Sequence, residues 1–205
     1  MPFTTLAHRT VFAMLALLAA PPAIAGFDHE WTLDQGGPWA RRYQTDLEYG
    51  VVAVEIAGSL WFGDEYGLGH TFWQTVDSSV ISGVGAAVLK RATGRARPYQ
   101  GGDPNLWFRG GCCESFPSGE VTLQASFVTP FIANYARTAP WVWTLEALPL
   151  YDGIARLKSQ AHWQSDVIAG WVLGSAVGYW TTTRQTPLSV TLLPRGATVG
   201  FYKRF

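Results

Sequence analysis

Ser115-Phe116-Pro117-Ser118-Gly119-Glu120, "SFPSGE", runs directly into "VTLQASFVTPFIANYA" at residues 121–136. A proline, a small hydroxyl residue and a glycine ahead of an apolar run are helix-start signals, and an acid in the first turn suits the positive end of the helix dipole. The stretch therefore opens a helix and aims the backbone N–H groups of Ser118 and Gly119 at whatever lies before it. Such a helix start is the geometry that receives phosphate-like anions. Whether Glu120 is trim on that helix or part of a reactive site depends on the rest of the chain.

Outward from this start, apolar segments near 46–62, 68–92, 120–137, 139–157 and 162–183 alternate with breaks rich in glycine and proline. The pattern predicts an all-α helical bundle. Gly170, Gly174 and Gly178 fall on one helical face, which predicts close approach of a neighbouring helix. After Pro187 the period changes. Leu188, Val190 and Leu192, then Val199 and Phe201, alternate around "PRG", predicting a terminal β-hairpin over 187–205.

The N-terminus has the form of a secretory signal. Arg9 precedes an apolar run from Val11 to Ala20, and Ala23-Ile24-Ala25 precedes Gly26. Residues 1–25 are read as the signal and 26–205 as one helical domain, exported to the periplasm or envelope. Fifteen basic side chains balance fifteen acidic ones, so charge offers no case for nucleic acid. The apolar segments carry Glu55, Asp77 and Glu146, and a mean hydropathy of +0.07 argues against a bundle made wholly of membrane spans. A water-soluble domain is expected, with contact to a membrane surface left open. Cys112 and Cys113 are the two cysteines; adjacent thiols or an incidental bridge in a loop is the reading preferred to redox or metal chemistry. The ten tryptophans are read as packing residues.

Chemistry gathers in three separated pieces. "KRATGRARP" carries Lys90, Arg95 and Arg97 after an apolar helix; "SFPSGE" supplies Ser118 and Gly119; "ARLKSQAHWQSD" carries Arg156, His162 and Asp166. If a helix begins near His162, Asp166 lies on the same face and can hold one ring nitrogen while the other attacks. His29 and His70 are read as hydrogen-bonded or exposed rings. His70 can serve as a proton donor only if its helix abuts the site.

Together the pieces resemble the phosphatidic acid phosphatase type 2 and vanadium haloperoxidase superfamily. Its signature is Lys, six residues, Arg-Pro; then Pro-Ser-Gly-His; then Ser-Arg, five residues, His, three residues, Asp. Lys90 to Arg97-Pro98 matches the first element, Pro117-Ser118-Gly119 the second up to its last position, and Arg156, His162 and Asp166 the third. The resemblance implies a helical bundle of that kind and hydrolysis of phosphomonoesters or lipid phosphates and pyrophosphates, with no cofactor and no essential metal. Lys90, Arg97 and Arg156 would neutralise the phosphoryl oxygens, with Ser118 and the Gly119 N–H adding hydrogen bonds. His162 would form a phosphohistidine, oriented by Asp166.

Two positions depart from the pattern. Ala155 stands in place of serine, and Glu120 in place of the histidine that protonates the departing alcohol. A cation about 4 Å from a carboxylate is worth roughly 4 kcal/mol at an effective dielectric of 20, so the empty site should keep Glu120 ionised. A phosphate dianion would engage the cations and favour protonation of Glu120, which predicts an acidic optimum. The same physics allows a second outcome, a silent phosphate- or lipid-binding relative in which Glu120 pairs with Arg156 or Lys90. Vanadate-dependent halide oxidation ranks below both, because the chain is short and lacks the second histidine.

Overall fold

The computed structural model describes residues 26–63, 67–111, 113–184, 188–193 and 196–201. Residues 1–25, read from the sequence as a signal, lie outside them. Among the described residues five α-helices make the bundle: α1 (Arg41–Phe62), α2 (Gly67–Thr93), α3 (Gly119–Tyr135), α4 (Ala147–Lys158) and α5 (Gln164–Thr182).

Helix ends follow local chemistry. A 3-10 turn over Gly37–Trp39, with Pro38 inside it, precedes α1. At the far end Gly63 takes φ +60°, a left-handed value that glycine reaches without a steric cost. The segment expected as one helix near 139–157 divides into a 3-10 run at Pro140–Glu146 and then α4. Pro149 explains the division. It lacks an N–H, which an α-helix wound continuously from Pro140 would need there, whereas the first turn of a helix starting at Ala147 does not.

The central helix is α3, with α5, α2 and α4 packed around it. A Cβ added at Gly170 would lie 2.5 Å from the Ser118 carbonyl oxygen, and one at Gly178 would lie 2.8 Å from Thr129 Cβ. At Gly174 it would overlap the Thr122 carbonyl. The glycine face of α5 is thus in backbone contact with α3, as its spacing predicts. Pro130 inside α3 leaves the Ser126 carbonyl without its helical donor, and Ser78 Oγ of α2 donates to that oxygen at 2.6 Å. One apolar cluster joins Val51, Phe72, Phe127, Val128, Phe131, Ile132 and Val142; another joins Ala86, Leu173 and Val177.

Trp73 and Trp163 are buried, whereas Trp61, Trp141 and Trp143 are exposed, so packing accounts for only part of the tryptophan content. None of the described helices is long and apolar enough to cross a membrane. Cys113 is buried and disulfide-bonded; Cys112 is outside the described residues. At the C-terminal end the backbones of β1 (Leu188–Leu193) and β2 (Gly196–Phe201) pair antiparallel, with Leu188 opposite Phe201 and Leu193 opposite Gly196.

Candidate active site

The site forms where the C-terminal end of α2, the N-terminal end of α3, the last turn of α4 and the start of α5 meet. Lys90 Nζ donates to the Glu114 carbonyl at 2.8 Å, and Arg97 Nη2 donates to the same oxygen at 3.3 Å. Arg97 Nη1 also reaches the Ala161 carbonyl, beside His162, at 3.3 Å. Arg156, buried in the last turn of α4, donates through Nη1 to Gln44 Oε1 at 3.0 Å. The three cations are close enough that Arg97 and Arg156 both depress the Lys90 ammonium. Burial is the larger cause, and together they bring its pKa to about 8.

His162 sits among them. Burial lowers its pKa to about 3, and the charges of Lys90 and Arg156 act in the same direction. The ring is therefore neutral at ordinary pH and keeps a free lone pair, the state a nucleophile needs. Its position differs from the sequence expectation. Helix α5 begins at Gln164, so His162 precedes the helix rather than occupying its first turn. The Asp166 carboxylate accepts the Trp163 N–H at 2.9 Å, as an acid at the third position of a helix does.

Asp166 is correspondingly less committed to His162 than the spacing suggests. His162 Nδ1 lies 3.7 Å from Asp166 Oδ2, beyond hydrogen-bond length, and has no hydrogen-bond partner among the described residues. The buried carboxylate is instead held by Arg95 Nη1 at 2.6 Å, by Ser115 Oγ and by the Trp163 N–H. Burial alone would raise its pKa; the adjoining His162 ring, the Arg95 charge and the Ser115 hydroxyl outweigh burial and hold it below the usual carboxylate value. Arg95 also binds Asp28 at 2.7 Å. It is a structural hub that ties the N-terminal loop to the start of α5.

The start of α3 at Ser118-Gly119 abuts the same place. Ser118 N–H donates to the Asp166 carbonyl at 2.9 Å, which locks the starts of α3 and α5 together. Ser118 Oγ is buried without a hydrogen-bond partner among the described residues, as is Arg156 Nε. Gly119 passes close to Lys90: a Cβ there would lie 3.5 Å from Lys90 Cε.

Glu120 faces two cations. Its Oε2 accepts from Arg41 Nη1 at 2.6 Å, and its Oε1 is 3.6 Å from Arg156 Nη1. Lys90, the other expected partner, makes no ion pair with it among the described residues. Burial pushes the Glu120 carboxyl up, but the hydrogen bond from Arg41 and the charges of Arg156 and Arg41 outweigh it and leave the group below its ordinary value. Glu120, Arg41, Gln44, Arg97 and Arg156 line a polar cleft of about 540 Å³ whose wall includes Ala161.

Arg41 and Gln44 were not legible as site residues, because α1 enters the site from far along the chain. His29 and His70 stay outside it. The His29 N–H donates to Gln164 Oε1 at 3.1 Å. His70 is in the first turn of α2 and Lys90 in its last, about 30 Å apart at 1.5 Å per residue.

Comparison with known proteins finds relatives of this chain. A lipid A 1-phosphatase of Rhizobium johnstonii is 38% identical over 101 residues, 47% of this chain and 40% of that protein. A lipid A 1-phosphatase of Porphyromonas gingivalis is 32% identical over 75 residues, 35% of this chain and 17% of that protein. The match thus spans less than half the length of these curated relatives. The crystal structure of Aquifex aeolicus LpxE superposes with a TM-score of 0.54 at 17% identity, covering 73% of this chain and 88% of that one, a likeness of fold. The PAP2 superfamily model matches residues 72–188, more than half of the chain and all of the stretch from Lys90 to Asp166; the chain belongs to the PAP2 superfamily.

Proposed function

We propose that the chain is an exported phosphatase acting on a lipid phosphate, through a phosphohistidine on His162 with Glu120 as the general acid. The observation that carries this reading is a neutral buried imidazole among three cations, with buried donors at Ser118 Oγ and Arg156 Nε that lack partners among the described residues. Unpaired buried donors cost free energy, and a tetrahedral oxyanion would satisfy both. The names of the relatives support a lipid phosphate as the substrate class.

In the proposed reaction the His162 nitrogen remote from Asp166 attacks phosphorus. An N–P bond forms, the ester P–O bond breaks, and protonated Glu120 delivers its proton to the departing alkoxide oxygen. Lys90, Arg97 and Arg156 bear the charge on the phosphoryl oxygens, which is electrostatic stabilisation by preorganised donors. Water then attacks the phosphorus of the phosphohistidine, forming a P–O bond as the N–P bond to His162 breaks. Its proton returns to Glu120 and inorganic phosphate leaves.

The test is trapping. A labelled lipid phosphate, quenched rapidly, is expected to leave acid-labile phosphate on the wild-type protein and none on His162→Ala. Loss of turnover in chelator would count against guanidinium groups serving in place of a metal.

One observation favours a second reading. Glu120 already pairs with Arg41 and Arg156, so the protein's own carboxylate competes for the phosphate site. A silent phosphate- or lipid-binding protein would bind phosphate and show neither label nor turnover at any pH. In that case Glu120→His would create activity in a dead parent.

A further inference from the structure

Asp152 is 1% exposed, and neither carboxylate oxygen has a hydrogen-bond partner among the described residues. An ionised carboxylate in that position costs several kcal/mol, so the group either holds a proton or answers to a nearby charge. It sits one helical turn before Arg156 on α4, and the two side chains leave the same face. The charged groups acting on it are Glu120 from α3, Arg156 on its own helix, and Arg41 and Glu48 from α1. On the α5 side the neighbouring Gly153 packs against apolar Val167. Burial first, and then the Glu120 charge, push Asp152 up to about 7, while Arg156 and Arg41 pull the other way. Arg156 links the two carboxyls, one helical turn from Asp152 and 3.6 Å from Glu120 Oε1, so a pair with one carboxyl ionised by cations and the other kept neutral by burial can carry one proton between them.

We propose that Asp152 is a positioning residue for the acid step: it stores the proton that Glu120 delivers to the leaving group. The idea rests on the phosphatase reading above. In the empty site the proton is on Asp152 and Glu120 is held ionised by Arg41 and Arg156. A phosphate dianion engages Arg156 and removes part of what keeps Glu120 ionised. The two carboxyls share no hydrogen bond among the described residues, so the proton passes from Asp152 to Glu120 by way of a bridging water, and from Glu120 to the alkoxide as the P–O bond breaks, leaving both carboxylates charged. The water that cleaves the phosphohistidine gives its proton back to the pair, so each cycle consumes one water and the pair ends as it began.

Asp152→Asn keeps the shape and removes the proton store. With an unactivated alkyl phosphate its kcat is expected to fall roughly 10- to 100-fold, part of the range for general acid catalysis. With p-nitrophenyl phosphate, whose leaving group needs no proton, it is expected to change less than about threefold. In a Glu120→Gln background Asp152→Asn should have no further effect, because it acts through Glu120. Equal losses on the two esters, or additive losses with Glu120→Gln, overturn the proposal.

A second arm needs no turnover. Calorimetry of inorganic phosphate binding at pH 6, in buffers of different ionisation enthalpy, is expected to show about one more proton taken up by Asp152→Asn than by the wild type. Equal uptake in the two proteins also overturns it. A wild type that binds phosphate but hydrolyses neither ester sinks the phosphatase reading, and the calorimetric arm then decides the proton store by itself.

Discussion

Arg41 Nη1 and Glu120 Oε2 meet at 2.6 Å across 79 residues of sequence, at the mouth of the cleft that Arg97 and Arg156 also line. The contact holds the proposed acid in its ionised form, because the hydrogen bond from Arg41 is the largest influence opposing burial. Arg41 itself is half exposed, so it can be removed without opening the core. Arg41→Ala is therefore expected to raise the proton affinity of Glu120 and to move the pH optimum of kcat upward, with His162 still labelled. An unchanged optimum would mean that Glu120 does not supply the proton. The silent reading makes the opposite forecast: phosphate binds more tightly to Arg41→Ala only if Glu120 is freed to leave, and no turnover appears.

Lys90 sets the alkaline side. Burial, with Arg97 and Arg156 nearby, brings its pKa to about 8, so in the empty site the ammonium is lost as pH rises through that value. Affinity for inorganic phosphate is expected to be full below about pH 8 and to fall above it, by tenfold or more for a lost charged hydrogen bond. Lys90→Arg keeps its charge throughout, since a guanidinium does not deprotonate in this range. Its affinity should stay flat to at least pH 9 where the wild type weakens. Titration calorimetry across pH 6 to 9.5 reads both, and parallel curves would remove Lys90 from the anion site.

Much of this arrangement is local in sequence and for that reason legible. Lys90 and Arg97 flank one helix end, Ser118 and Gly119 form one helix start, and Arg156, His162 and Asp166 fall within one helix-turn-helix passage. The end of α1 before Gly63 was readable as a glycine-rich break, whereas the division of 139–157 that Pro149 imposes was not. What spacing did not disclose depends on tertiary contact. Arg41 and Gln44 arrive from α1, which only the packing of α1 against the bundle brings to Glu120 and Arg156. Asp152 reads as an ordinary polar position of a helix until its burial is known. The His-x-x-x-Asp spacing does bring the two side chains together, His162 Nδ1 3.7 Å from Asp166 Oδ2, but it did not disclose that Asp166 also serves the N-terminus of α5 and Arg95.

Arg95 and Arg97 are two residues apart and are expected to fail differently. Arg95 is 1% exposed and satisfies both Asp28 and Asp166, so Arg95→Ala strands two carboxylates. Breaking a buried pair in this way costs about 3–5 kcal/mol, enough to lower the denaturation midpoint sharply or prevent folding. Arg97→Ala removes hydrogen bonds of 3.3 Å to two carbonyls at the edge of the cleft, and should cost about 1 kcal/mol or less in stability while weakening phosphate binding. Urea denaturation and phosphate titration of the two variants separate the roles. Equal stability losses would contradict the assignment of Arg95 as the hub.

Glu55 is away from the site and offers a prediction about stability alone. It is a buried residue of α1 whose carboxylate accepts from Ser79 Oγ of α2 at 2.8 Å, and burial raises it from an ordinary 4.5 to about 7. The folded protein thus binds a proton there that the unfolded chain releases between pH 4.5 and about 7. Stability must therefore fall as pH rises through that window, by about 3 kcal/mol in all for a shift of this size. The contribution is fully favourable below pH 4.5 and lost above about 7. Glu55→Gln can still accept the Ser79 hydroxyl and does not titrate. Denaturation at pH 8 should find it more stable than the wild type by up to that amount, and at pH 4 the two should be nearly equal. A difference that does not vary between pH 4 and 8 would show that the Glu55 carboxylate finds its counter-charge in the folded bundle.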